Sequence, residues 1–421
     1  MGFGSTGPAV DAVVRTGTAA YIDAAVRANP ASDKGVAATP PPTFAPITPL
    51  PANATADQRQ QRNKDIAAQL STLTSWWLKR MVAVEQPFIE KVTFGWHNHF
   101  ATSASKVRDA GLLVQQNEAL RKLGRGDFRT LCNAMLTDAA MLRWLDGDLN
   151  TATAPNENLA REFMELFTLG HGNGYSENDV REGARALTGW KARADGTTFL
   201  NVKQHDQGSK TVLGVQGNLD ASGFCDAVLA VPAGSQYLVQ RWWGQLGSEN
   251  PLPSSSVANV ITAYGANRDL AQLFAALFRA PEFGSGERSL VVSPVEWLVG
   301  ATRALKVNIA ADAAAQRLVR VLQSLGQVPF YPPNVSGWPA GQAWLSTAAV
   351  DVRMQTALIL VKTADLSTVT DAAVTDRVDA AGYLLGVGSW SDRTAGVLRD
   401  LQTNPPNLVA VALTSPEYLV H

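Results

Sequence analysis

Hydrophobic positions along the chain recur mostly at helical spacing. An Ala/Val-rich start reads as helix, and residues 40 to 51 then carry Pro40, Pro41, Pro42, Pro46, Pro49 and Pro51, which excludes both helix and central strand and predicts an extended arm. A long helix is predicted from Thr55 through Trp76 and Trp77 to Val84. Pro87 suits the first turn of the next, where a missing N–H costs nothing, and Phe88, Ile89, Val92 and Trp96 form its apolar stripe to His97 or beyond. Further on, Asn156 is placed to cap a helix with the apolar face Leu159, Phe163, Leu166 and Phe167, stopped at Gly170. Ser176 and Asp179 form a capping box ahead of Val180, Ala184 and Leu187, stopped at Gly189, so these two helices are predicted to be antiparallel neighbours.

The helical period lapses between Thr197 and Gly217, where residues 198–202 and 211–213 read as short strands. It resumes at Leu270–Arg279 and at Ser293-Pro294-Val295-Glu296, which combines a cap, a first-turn proline and a capping-box glutamate. The turn-rich loop from Pro332 to Gly341 precedes another helix to about Lys362, and its two neighbouring tryptophans, Trp338 and Trp344, mark a packed loop. The predicted fold is mainly α, a large multi-helix single domain with a short non-helical or β excursion around residues 195–217. An N-terminal helical segment (1–39), a proline-rich arm (40–54) and a main helical domain (55–421) are expected to form one compact unit.

Composition narrows the partners. Across 421 residues, 36 Lys and Arg against 37 Asp and Glu leave a net charge of −1, which argues against the clustered positive footprint of a nucleic-acid binder. Apolar residues make up 46 % and charged residues 17 %, enough to build a large core and far from the signature of disorder. Two cysteines, Cys132 and Cys225, cannot build a disulfide framework or a cysteine zinc site and read as buried thiols. No apolar run reaches the roughly 18 residues that would predict a transmembrane helix. Residues 1–5 lack a secretory pattern, so the sequence as written defaults to a cytoplasmic location.

Candidate chemistry falls in three places. In Trp96-His97-Asn98-His99-Phe100 the histidines can share a metal only where the helix has ended, because on a helix residues two apart diverge by roughly 200°. In Asn156–Leu166, Asn158, Glu162 and Glu165 lie on one stripe and Arg161 stands four residues before Glu165. Carboxylates three apart can share a metal, or one can hold the other protonated as a general acid, while the competing reading is an ion network with Arg181, Glu182 and Arg185. The third is His205-Asp206 with Lys210, in a predicted turn. His171, among glycines, reads as a solvated turn. Eleven tryptophans, among them Trp96, Trp190, Trp338 and Trp344 beside polar motifs, lend slight support to a glycan. Walker, dinucleotide, nucleophile-elbow and His-Glu-x-x-His motifs are absent.

The succession Trp96–Phe100, Pro155–Gly170, Asp179-Val180 with Ala184–Trp190, His205-Asp206 with Lys210 and Leu213-Gly214, and Pro332–Pro339 resembles the bacterial domain-of-unknown-function family numbered 1800, over nearly the whole chain. The resemblance implies a helical fold, and an export leader in many relatives, which makes a periplasmic or cell-envelope location conceivable. The chain departs from many relatives in having Phe167 where they carry histidine. The resemblance further implies one pocket uniting His97, His99, Glu162, Glu165, His205 and Asp206. The resulting expectation is a hydrolase or lyase acting on an envelope or extracellular polymer, a glycan above all. Glu162, Glu165, His97 and Asp206 would be catalytic, Arg161, Asn158, Trp96, Trp190, Lys210 and Trp338 would bind substrate, and His97, His99 and His205 would hold a divalent metal. The alternative is a non-catalytic binding or scaffold protein in which the same residues form buried structural networks. Metal-dependent phosphohydrolase chemistry at His205-Asp206 ranks last.

Overall fold

The computed structural model describes residues 2–47, 49–285 and 290–420. Helix starts follow their caps. Thr55 and Gln58, Ser176 and Asp179, and Ser293 and Glu296 each complete a reciprocal capping box, opening helices Ala56–Ala83, Glu177–Ala186 and Pro294–Ala304. With 61 % of the chain helical and 4 % in strands, the fold is mainly α. The non-helical excursion is two separate antiparallel hairpins. Strands β1 (Trp190–Ala192) and β2 (Thr198–Leu200) pair with Trp190 opposite Leu200, and β3 (Lys210–Val212) and β4 (Val215–Gly217) pair with Val212 opposite Val215. The first hairpin starts at Trp190, earlier than the loss of period predicts.

One expected helix is altered. Asn156 accepts from the N–H of Asn158 at 3.0 Å, but it stands one residue before the N-cap, which is Glu157 and makes no side-chain capping bond, and the regular helix is only Asn158–Glu162. It passes into a π-helical segment, Phe163–Thr168, in which the Leu169 N–H reaches back five residues to the Met164 carbonyl at 2.8 Å. Periodicity over so few turns does not separate these two windings.

Two hydrophobic cores share the chain, and helix Pro87–His99 runs between them. Its Phe94 packs into one core with Trp77, Trp297, Leu298 and Leu413, while Phe88, Val92 and Trp96 pack into the other with Phe163, Phe224, Trp242 and Phe274. The N-terminal helices Gly7–Thr16 and Thr18–Val26 lie against Arg377–Leu385 and Leu270–Arg279 respectively, so the start of the chain touches both cores. In the proline-rich arm, Phe44 and Ile47 pack on the first core and the Ala45 carbonyl accepts from Gln69 at 3.0 Å. Its residue Thr48 lies outside the described residues.

A buried charge network fixes the central helix. Glu90, 1 % exposed, accepts both Nε and Nη2 of Arg121 at 2.6 and 2.8 Å and the Trp77 indole N–H at 2.8 Å, joining helices Ala56–Ala83, Pro87–His99 and Ala110–Leu123. Next to it, Lys91 contacts the Glu296 carboxylate in the seam between the cores, beside a small cavity of about 70 Å³. Burial alone would pull the Lys91 ammonium down to about 7, and the carboxylate against it opposes that pull. Removing one partner of a buried pair leaves an uncompensated charge, at a cost of about 3–5 kcal/mol. Glu90→Ala is therefore expected to destabilise the protein by that order in urea unfolding, whereas Glu118→Ala, at the half-exposed rim beside Arg80 and Arg121, should cost less than about 1 kcal/mol.

Candidate functional site

The last turn of helix Pro87–His99 sends successive side chains in different directions, about 100° apart. Each takes hold of a distant backbone group. The Trp96 indole donates to the Gly124 carbonyl at 2.7 Å, and His97 Nε2 accepts from the Phe330 N–H at 3.0 Å. Asn98 Oδ1 accepts from the Trp338 N–H at 2.8 Å, and His99 Nε2 donates to the Phe167 carbonyl at 2.8 Å. Trp96, His97 and His99 are at most 1 % exposed. Around His97 stand the rings of Trp77, Phe330 and Trp338 at 5.3, 5.3 and 5.5 Å. Phe330 keeps the unusual backbone φ of +70°, held by its N–H on His97 and its carbonyl on Ala104. Gly337, at φ +88°, backs directly onto Asn98, where a Cβ would stand 2.3 Å from Oδ1.

The helix continues through His99, so the two histidines diverge and make no shared site. Burial pushes both down to about 3, with the Arg241 charge adding to the effect at His99. Both are neutral at physiological pH. His99 donates through Nε2, which leaves its buried Nδ1 without a partner among the described residues.

The second block is held from outside. The π-helical segment ends with carbonyls that have no helical partner, and side chains supply one to each of three: Tyr237 to Leu166 at 2.8 Å, His99 to Phe167, and Asn173 to Leu169 at 2.8 Å. Phe167 itself is buried. Glu165 accepts from Tyr175 at 3.2 Å and lies 2.7 Å from His171 Nδ1. Glu162, half-buried, makes no hydrogen bond or ion pair among the described residues, and burial followed by the Glu165 charge pushes its carboxyl above the usual range. Arg161 is occupied by Glu157 and, through both Nη atoms, by Glu177, all at 2.8 Å. Asn158 is exposed.

The third block is a separate network. Arg185 holds Glu182 at 2.9 Å and Asp206 at 2.7 and 3.2 Å, and this pairing keeps the Asp206 carboxyl below its ordinary range. The Asp206 N–H donates to Thr188 Oγ1 at 2.8 Å, and His205 Nδ1 lies 2.9 Å from the Thr188 carbonyl. Lys210, buried, contacts the Asp206 carbonyl and donates to Asn218 at 3.0 Å. Glu182 and Asp179 accept the N–H groups of Thr211 and Leu213 at 2.9 and 2.6 Å, so helix Glu177–Ala186 holds the second hairpin by its backbone. Trp190 is half-buried at the start of β1, and Trp338 is buried, stacked on Phe94 at 5.6 Å.

Each predicted residue thus has a definite place, and the places differ. His97, His99, Glu162 with Glu165, and His205 with Asp206 are not joined to one another by hydrogen bonds, ion pairs or ring contacts among the described residues. Nor does any group of three or more His, Cys, Asp or Glu among them have the arrangement to hold a metal ion. Sequence reasoning passed over Asn98, whose partner lies far along the chain, and the Glu90–Arg121 pair, whose charges sit inside an apolar stripe.

It also passed over an open cleft of about 700 Å³ between helix Gly7–Thr16 and helices Arg377–Leu385 and Asp392–Asp400. Its walls carry Tyr383, Trp390, Asp11, Asp379, Ser389 and Arg399. Tyr383 is 45 % exposed and donates to Asp11 at 2.6 Å, while the Trp390 indole is fixed by a bond to the Val378 carbonyl at 3.1 Å. The turn signal Gly386-Val387-Gly388-Ser389-Trp390 was the available clue.

A model of the family described as protein of unknown function (DUF1800) matches residues 1–420. No curated protein and no solved structure matches the chain.

The buried histidines set a pH dependence. Their folded values near 3 lie below the ordinary 6.5, so the unfolded chain binds more protons between those limits. Stability from burying them neutral is complete above about pH 6.5 and is lost as pH falls toward 3. Urea midpoints measured across that window should fall with acid, and more gently in His97→Gln, which carries no titrating ring. Gly337→Ala should lower the thermal midpoint at every pH, because the cost there is steric.

Proposed function

The chain belongs to the DUF1800 family, and on that premise we propose that it is a non-catalytic binding protein for an envelope or extracellular polymer, a glycan above all. Between catalysis and binding, the observation that favours binding is where the polar side chains are engaged. His97, Asn98 and His99 are engaged by backbone groups, Arg185 and Asp206 by one another, Arg161 by Glu157 and Glu177, and Lys210 by the Asp206 carbonyl and Asn218. Closed networks of this kind satisfy buried groups and specify packing.

The open cleft supplies what a sugar needs. Rigid aromatic faces at Tyr383 and Trp390 can cover the apolar face of a pyranose, and the exposed Asp379, Ser389 and Arg399 stand near to bond its hydroxyls. About 700 Å³ lies in the roughly 300–1,000 Å³ range of small-ligand clefts. Titration calorimetry against neutral and acidic oligosaccharides is expected to give binding that Trp390→Ala lowers at least tenfold and that His205→Ala leaves unchanged. Binding unaffected by Trp390→Ala would remove the cleft from the proposal.

A second reading rests on Glu162. A half-buried carboxyl without a hydrogen-bond partner, three residues from a carboxylate oriented by Tyr175, is how an acid and its charged neighbour are held at different protonation states. In that reading Glu162 protonates the leaving oxygen of a polymer linkage. The assay is release of reducing ends or unsaturated products from envelope polysaccharide. The binding-protein proposal expects none from the wild type. Release that Glu162→Gln abolishes, with the circular dichroism spectrum intact, would establish the hydrolase or lyase instead.

A further inference from the structure

The two cysteines stand apart from all of these sites. Cys132 lies on helix Phe128–Leu136 and Cys225 on helix Ala221–Leu229, both with no exposed surface and both in the second core. These two helices pack against each other, and the Cys225 thiol is the side-chain neighbour of the Cys132 thiol across that contact. An ion pair at the rim fixes the helices that carry them. Arg129, one turn before Cys132, donates through Nη2 to the Asp226 carboxylate at 2.7 Å and to Ser222 at 3.0 Å, on either side of Cys225. Asp127, Arg268 and Tyr264 are the titratable groups facing Cys132 from neighbouring segments.

We propose that Cys132 and Cys225 form a structural disulfide when the chain folds in an oxidising compartment, stapling helix Phe128–Leu136 to helix Ala221–Leu229. The oxidant is a small-molecule or protein disulfide, such as oxidised glutathione. One cysteine thiolate attacks it, forming a mixed disulfide and releasing one thiol. The other thiolate then attacks the cysteine sulfur of that mixed disulfide and releases the second thiol. Two cysteine thiols thereby lose two protons and two electrons, and the oxidant is reduced to two thiols. The bridge must form during folding, because in the finished core neither sulfur meets solvent and burial holds the Cys132 thiol protonated.

The test is refolding the full chain from denaturant in a mixture of oxidised and reduced glutathione, followed by denaturation, alkylation and intact-mass measurement. The expected product is about 2 Da lighter than the reduced chain, takes up no alkylating reagent, and yields a peptide linking Cys132 to Cys225. It should melt several degrees higher than protein refolded in reductant, since the bridge closes a long loop. Protein already folded in its reduced form should keep both thiols in the same buffer. A refolded chain that regains its helical spectrum and cooperative melting with two alkylatable cysteines overturns the proposal. A bridged chain that fails to regain cooperative melting overturns it as well. In Cys225→Ala, glutathione should remain attached to Cys132 in the denatured, oxidised chain and be absent after folding in reductant, which locates the exchange at this pair.

Discussion

The end of helix Pro87–His99 is where the molecule is held together. Four neighbouring side chains there bind the backbone at Gly124, Phe330, Trp338 and Phe167, segments spread over most of the chain. The acceptors and donors they satisfy are buried, and a buried backbone group left unpaired costs about 1–3 kcal/mol. Because Phe94 of the same helix enters one core and Phe88, Val92 and Trp96 the other, the polar clasp also aligns two apolar cores. Hydrophobic burial supplies the driving force for both cores. It is not directional, and the clasp decides how one sits against the other.

That arrangement limits what the same residues can do chemically. An imidazole that accepts a backbone N–H inside an aromatic box has no lone pair to offer a metal through that nitrogen, and burial keeps it neutral. Asp206 and Arg185 neutralise each other while positioning the turn that carries His205. A carboxylate held this way is a fixture of the backbone around it. By contrast, the half-buried Glu162 makes no hydrogen bond or ion pair among the described residues, and the cleft beside Tyr383 and Trp390 is open.

The π-helical segment shows how the blocks depend on one another. Its terminal carbonyls rely on Tyr237, His99 and Asn173, so its winding is specified by side chains from outside the segment as much as by its own. Helix Glu177–Ala186 plays the corresponding role for the second hairpin, whose N–H groups end on Glu182 and Asp179. Strands of three residues lack the cross-strand area to be stable alone, and the helix provides the missing bonds.

Local signals in the sequence determined the helices and their ends, because a cap, a first-turn proline and an apolar stripe act within a few residues of one another. Thus the boxes at Ser176 and Ser293 and the proline at Pro87 were readable, as were the mainly α class and the loss of helical period before Gly217. The polar blocks could be recognised as unusual, but the single ion network expected of Arg161 and Arg185 is two, Arg161 with Glu157 and Glu177, and Arg185 with Glu182 and Asp206. What each block binds was not readable. Asn98 meets Trp338, and His97 meets Phe330, only after the chain has folded back across both cores. Whether a histidine faces a ligand or a backbone N–H depends on that long-range approach, and so does the meeting of Cys132 with Cys225. Residue type and spacing are fixed by the sequence, but the partner of a buried polar group is chosen by the packing of distant apolar surfaces, and only the tertiary structure records that choice.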